Sequence, residues 1–99
     1  MKNKSYSLRS EVILWPGMAA WHFAVVPKKE AAKIKELFAH KKGGFGSIKV
    51  NVTIGETTWN TSIFPDKKSG TYLLPIKKAV RQKEGIFDGD TIAFAIEIL

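Results

Sequence analysis

Apolar and polar residues alternate along most of this chain, and twice the alternation gives way to helical spacing. From Lys4 to Trp15, Tyr6, Leu8, Val12 and Leu14 share one face while Ser5, Ser7, Arg9 and Glu11 share the other. That period of two predicts a half-buried strand, ended by Trp15-Pro16-Gly17. Trp21 to Val26 predicts a second strand with Trp21, Phe23 and Val25 on one side. Pro27 then opens a helix at a position where a missing N–H costs nothing. Ala31, Ile34, Leu37 and Phe38 form its apolar stripe, Lys28, Lys29, Lys33 and Lys35 cover its outside, and Lys41-Lys42-Gly43-Gly44 stops it.

The second half repeats this grammar. Ile48, Val50, Val52 and Ile54 alternate with Lys49, Asn51 and Thr53, so Ser47–Ile54 reads as a strand. Gly55-Glu56 has the length and composition of a tight hairpin turn, with Thr57–Phe64 as the return strand, Pro65–Gly70 as a loop and Thr71–Leu74 as a short strand. Pro75 opens a second helix with Ile76, Ala79 and Val80 as its stripe, and Gly85 ends it. Asp88-Gly89-Asp90 turns the chain into a last strand, Thr91–Leu99, with Ile92, Phe94, Ile96 and Ile98 on one side.

The predicted order is β-β-α-β-β-β-α-β. Two short helices are too few to cover a doubly wound sheet. A mainly β fold follows: a closed small β-barrel of about six strands, with the helices capping its ends, which also removes the exposed edges of Val/Ile-rich strands. Val25-Val26-Pro27 before the first helix echoes Leu73-Leu74-Pro75 before the second, with the prolines 48 positions apart. The echo suggests two similar halves about a pseudo-twofold axis, although strand–proline–helix junctions are also common by themselves.

Composition sets limits. Ninety-nine residues with 44% apolar content make a single domain over 1–99 with one core, residues 1–4 forming a tail. With no cysteine there is no disulfide framework, thiolate metal site or cysteine nucleophile. No apolar run is long enough to span a bilayer and no signal-type segment follows the basic start, which points to a cytoplasmic protein with no membrane partner. The net charge of +7 favours anionic partners, nucleic acid among them. The excess is nearly all lysine, however, as a merely solubilising surface would be.

Few residues offer chemistry beyond packing. Lys77 and Arg81, four apart with Lys78 beside them, place charge on one face of the second helix, either a phosphate grip or a solvated face. Gly43-Gly44-Phe45-Gly46 follows a helix instead of opening one, so it reads as a stop and bend; neither a P-loop nor a dinucleotide fingerprint is present. Asp88 and Asp90 are too few for a calcium loop and suit a turn. His22 and His40 have no sequence-local partner for a metal pair or a general base, and Ser62 lies in a strand without a nucleophile elbow. No catalytic, metal-binding or cofactor-binding residue is therefore expected. Trp15, Trp21, Trp59, Phe45 and Phe64 are core residues or a stacking surface. Trp59, flanked by Thr57, Thr58, Asn60 and Thr61, has the strongest claim to a binding surface.

The motifs also carry a resemblance. Trp21-x-Phe23 before Pro27, Gly44-Phe45-Gly46, Val50-x-Val52-x-Ile54-Gly55, Trp59-x-Thr61-Ser62-x-Phe64-Pro65, Tyr72-x-Leu74-Pro75-Ile76-Lys77 with Val80-Arg81, and Gly89-Asp90 occur in that order. As a set, from about Trp15 onward, they resemble domain-of-unknown-function family nineteen hundred and five, small prokaryotic proteins. That resemblance implies a closed β-barrel and no established activity. More locally, Leu74–Arg81 with Gly85-Ile86 and Gly89–Ile92 is similar to the swapped-hairpin DNA-binding domains of transition-state regulators and antitoxins, which are about half as long and complete a barrel by dimerising. The expectation is a non-enzymatic binding or accessory module, monomeric or homodimeric, whose anionic partner meets Lys77, Arg81, Lys49 and Trp59. The alternatives are a small-ligand barrel with a mouth lined by Trp21, Trp59 and Phe64, and a DNA-binding regulator of the swapped-hairpin type.

Overall fold

The computed structural model describes residues 5–14, 21–38 and 46–99. Six strands and two helices follow in the order β1 (Ser5–Leu14), β2 (His22–Val25), α1 (Lys28–Phe38), β3 (Ile48–Ile54), β4 (Thr57–Asp66), β5 (Thr71–Pro75), α2 (Lys78–Glu84) and β6 (Thr91–Ile98). The strands close into a barrel in the order β1-β2-β5-β4-β3-β6, every neighbouring pair antiparallel and β6 returning to β1. One chain supplies both halves of the barrel.

Alternation places the core. Val50, Val52, Ile63, Ile96, Ile98 and Leu74 are fully or almost fully buried inside the barrel, while Lys49, Thr58 and Asn60 point outward from the same strands. Ile34 and Ala31 of α1, and Val80 of α2, join that core. The hairpin at Gly55-Glu56 forms as expected, pairing Ile54 with Thr57 and Gly55 at a positive φ of 57°. Across it, Thr57 Oγ1 donates to Glu84 Oε2 of α2 at 2.5 Å, tying the second helix to the β3–β4 hairpin.

Several expectations need correction. β1 does not bury Leu14: the strand ends at the barrel rim and the side chain is exposed. In β2, by contrast, Trp21 and Phe23 share a side as expected, ring centroids 5.8 Å apart, with Phe23 buried and Trp21 exposed, while Ala24 and the following Val26 are fully buried. Pro65 and Asp66 are not loop but the end of β4, paired with Tyr72 and Thr71. Pro75 does not open α2. It is the last residue of β5, opposite Phe23, and Lys77 is the N-cap in extended conformation. Ile76 therefore lies ahead of the helix, though buried, and Ala79 is exposed. The tail, Trp15-Pro16-Gly17, His40, the stop at Lys41–Gly44, Phe45 and the side chains of Leu37 and Phe38 lie outside the described residues.

The strand order is unchanged when β1, β2 and β3 are exchanged with β4, β5 and β6. Hydrogen bonds give the correspondence of residues. Val26 N donates to Tyr72 O, and Ile76 N donates to His22 O, both at 2.9 Å. Ala31 N donates to Pro27 O, and Arg81 N to Lys77 O. Val26 thus corresponds to Ile76, His22 to Tyr72, Ala31 to Arg81 and Lys28 to Lys78. The axis passes through the Ala24–Leu74 pair. The two halves are real, but Pro27 corresponds to Lys77, not to Pro75; the proline echo is two residues out of register because β5 uses its proline as a strand end.

The β4–β5 turn contributes a pH-dependent term. Ser69 donates from both N and Oγ to Asp66 Oδ2, at 3.1 and 2.7 Å. Those bonds, the side-chain one foremost, hold the Asp66 carboxyl below its ordinary value against the smaller opposing effect of burial. A carboxyl lowered by folding stabilises above its unfolded pKa and loses that contribution as pH falls through the lowered one. Asp66→Asn is expected to leave stability unchanged at strongly acidic pH and to reduce it slightly at neutral pH. Urea midpoints at the two pH values measure this, and equal losses at both would assign the effect to something other than the carboxylate charge.

Candidate functional site

The second strand–helix junction places side chains outward. After Pro75, Ile76 is buried and its N–H continues the β2–β5 contact to His22 O. Lys77 is extended, so α2 starts after a sharp change of direction with Val80 buried beneath it. This fixed inner side leaves Lys77 and Lys78 exposed on the outer one. Arg81 is set more firmly: its Nε donates to Ile76 O at 3.0 Å.

A cleft of about 390 Å³ opens here, lined by Trp21 and His22 at the start of β2, by Trp59, Asn60 and Thr61 of β4, and by the run from Pro75 to Lys78 with Arg81. Its volume is within the range of small-molecule sites. The two tryptophans differ. Trp59 is only 9% exposed and belongs to the core, whereas Trp21 is 51% exposed. Lysine and arginine side chains line this cleft, and among the described residues no carboxylate does.

Of the residues expected to meet an anionic partner, the fold brings together Lys77, Arg81 and Trp59. Lys49 does not join them. It points outward from β3 opposite Ser62, on the barrel wall. Of the aromatics expected at a barrel mouth, Trp21 and Trp59 line the cleft, while Phe64 is on the outside of β4 opposite Leu73. The basic helix and the aromatic mouth, two separate readings of the sequence, are thus one place. His22 and Lys78 were legible only as neighbours of other signals; the pairing of β2 with β5 makes them part of the site.

The pseudo-twofold mate of this region provides a comparison. A cleft of about 460 Å³ beside α1 is lined by Lys28, Ala31, Ala32 and Lys35, together with Lys67, Thr71 and Tyr72. There Ala31 replaces Arg81, Thr71 replaces Trp21 and Tyr72 replaces His22. Thr71 Oγ1 is spent on Val26 O at 2.5 Å, burial raises the Tyr72 phenol above its ordinary value, and Asp66 adds a negative charge. The same backbone frame is thus lined by lysines in both halves, while the arginine and the tryptophans belong to the cleft of the second half.

Elsewhere, the Asp88–Asp90 turn is structural. Asp88 Oδ1 accepts from Leu14 N at 2.9 Å and Asp90 Oδ2 from Phe87 N at 2.8 Å. Among the described residues, no group of three His, Asp or Glu side chains is placed to hold a metal ion, and no helix is long and apolar enough to cross a membrane. A family model described as "Domain of unknown function (DUF1905)" matches residues 9–96, nearly the whole barrel. None of the curated proteins matches the chain.

Proposed function

We propose that this chain, which belongs to the DUF1905 family, is a binding module that holds an anionic group carried on a flat apolar body in the cleft between β2, β4 and α2. The observation that carries the reading is the convergence of Trp21 and Trp59 with Lys77, Lys78 and Arg81 around a cleft that no carboxylate lines among the described residues. An anion on Arg81 would meet a guanidinium whose Nε is already fixed to Ile76 O, so part of the ordering cost of binding is met before the ligand arrives. The indole of Trp21 offers an apolar face beside that charge. The pseudo-twofold mate also carries lysines but has alanine for Arg81 and threonine for Trp21, so the pairing of a fixed guanidinium with an exposed indole belongs to the second half.

A thermal-shift comparison of phenyl phosphate, inorganic phosphate and phenol tests this. At ten times its dissociation constant a ligand stabilises by about 1.4 kcal/mol, which raises the Tm of a chain this size by about 6 °C or more. Phenyl phosphate is expected to produce that rise, the other two compounds far less at the same concentration, and Lys77→Ala/Arg81→Ala to abolish it. Lys49→Ala is expected to leave it intact. An equal rise in the double variant would remove the cleft from consideration.

A further inference from the structure

The cationic side chains of the cleft have a second side. Another cleft, of about 350 Å³, is lined by Gln82, Gly85, Ile86 and Phe87, and shares His22, Lys78 and Arg81 with the first. The two openings therefore adjoin along a shared basic wall. No Asp or Glu lines either one among the described residues.

Each opening has an exposed aromatic ring beside it. Trp21 flanks the first at 51% exposure, and Phe87 the second at 71%. Phe87 is not a loose side chain on a loop. Gly85, at φ 66°, ends α2, and Ile86 N donates to Arg81 O at 2.9 Å while the Ile86 side chain is buried. Phe87 N is then held by Asp90 Oδ2, and Asp90 N by Phe87 O. The backbone on both sides is fixed and the ring is directed into water.

We infer that the two clefts form one groove for a short single-stranded nucleic acid, with one base against Trp21, a neighbouring base against Phe87 and the linking phosphates on Lys78 and Arg81. The inference rests on the anionic reading of the first cleft and extends it. A ligand with a single flat body uses one aromatic and leaves the other in water. A chain in which planar groups alternate with negative charges uses the whole sequence of aromatic, cationic wall and aromatic. Such grooves bind single strands with little sequence preference, because every base has a face to stack. A duplex keeps its bases stacked on one another and offers these rings nothing. The side chains available to read base edges in a duplex groove are also few here.

Fluorescence anisotropy with a labelled six-nucleotide oligo(dT), a duplex of equal length and thymidine monophosphate as competitor tests the groove. The hexamer is expected to bind at least about tenfold more tightly than the mononucleotide and the duplex, and to weaken as salt rises. Phe87→Ala is expected to cost the hexamer about tenfold and the mononucleotide nothing, whereas Arg81→Ala weakens both. Equal affinity of hexamer and mononucleotide, an equal affinity for duplex, or indifference of the hexamer to Phe87→Ala overturns the groove. If phenyl phosphate still stabilises the protein in any of those cases, the single-cleft reading stands without it. If phenyl phosphate and nucleotides all fail to bind, both readings fall.

Discussion

Replacing Ile96 by Ala is expected to remove about 4 kcal/mol of stability and to lower Tm by more than about 15 °C. Ile96 is fully buried in the middle of β6, opposite Val52 on one side and Tyr6 on the other. It stands where β6 closes the barrel between β3 and β1, so no exposed edge is available to move in and fill the space. A cavity that its surroundings cannot fill keeps most of its cost, and that cost belongs to the upper part of the range for large-to-small substitutions. A domain of this size has roughly 5–15 kcal/mol in total, so the variant should be close to unfolding at growth temperatures. Chemical denaturation with unchanged slope and a much lower midpoint would measure it. A loss below about 1.5 kcal/mol would mean that the barrel collapses readily around the gap and that its core is less tightly packed than the burial indicates. Phe87→Ala, at a ring mostly in water, is expected to change stability by no more than about 0.5 kcal/mol. That contrast lets the same variant serve in the binding experiment.

Gly55→Ala is expected to cost about 2–3 kcal/mol, more than a turn glycine alone would suggest. The residue has φ of 57°, and a side chain there costs about 1 kcal/mol or more. A Cβ at this position would also collide with Glu84 Oε1. The carboxylate can move away, because it is the end of a flexible side chain, but its other oxygen accepts from Thr57 Oγ1. Moving it weakens the bond that ties α2 to the hairpin. A double-mutant cycle separates the two effects. In a Glu84→Ala background Gly55→Ala should cost only the backbone strain, leaving a coupling of about 1 kcal/mol between the positions. Strictly additive losses would show that Glu84 yields freely and that only the dihedral angle matters. Because α2 also carries Lys78 and Arg81, any effect of Glu84→Ala on ligand affinity would show that this anchor helps position the cleft.

How much of this was legible beforehand depended on the range of the interactions involved. The alternation of Ile48–Ile54 and of Ile92–Ile98, the Gly55-Glu56 turn, the glycine end of α2 and the count of strands and helices are all written locally, and the structure has them where the sequence places them. Periodicity and turn chemistry act over a few residues, so they survive reading without a fold. The motifs that resemble the family follow the same elements, and the family match covers them.

Position relative to the other strands was a different matter. The role of Pro75 is ambiguous locally because a proline suits both the end of a strand and the first turn of a helix; its partner Phe23, far away in sequence, decides between them. Leu14 satisfies the apolar pattern but stands at the barrel rim, and both sides of β2 carry apolar residues, so the pattern alone leaves open that Ala24 and the following Val26 are fully buried while Trp21 is exposed. Periodicity states that a strand has two faces, and only the sheet states which one is inside.

The candidate site shows the same division. The charge of Lys77 and Arg81 and the oddity of Trp59 among threonines could be read from the chain, and so could an aromatic mouth, but nothing local said that these were one site or that Lys49 was not part of it. The composition, the elements and their order were determined by the sequence alone, since each follows from interactions between near neighbours. The cleft was decided by the tertiary structure, because it exists only where β2 pairs with β5 and α2 folds back over the end of β4, contacts whose partners lie tens of residues apart.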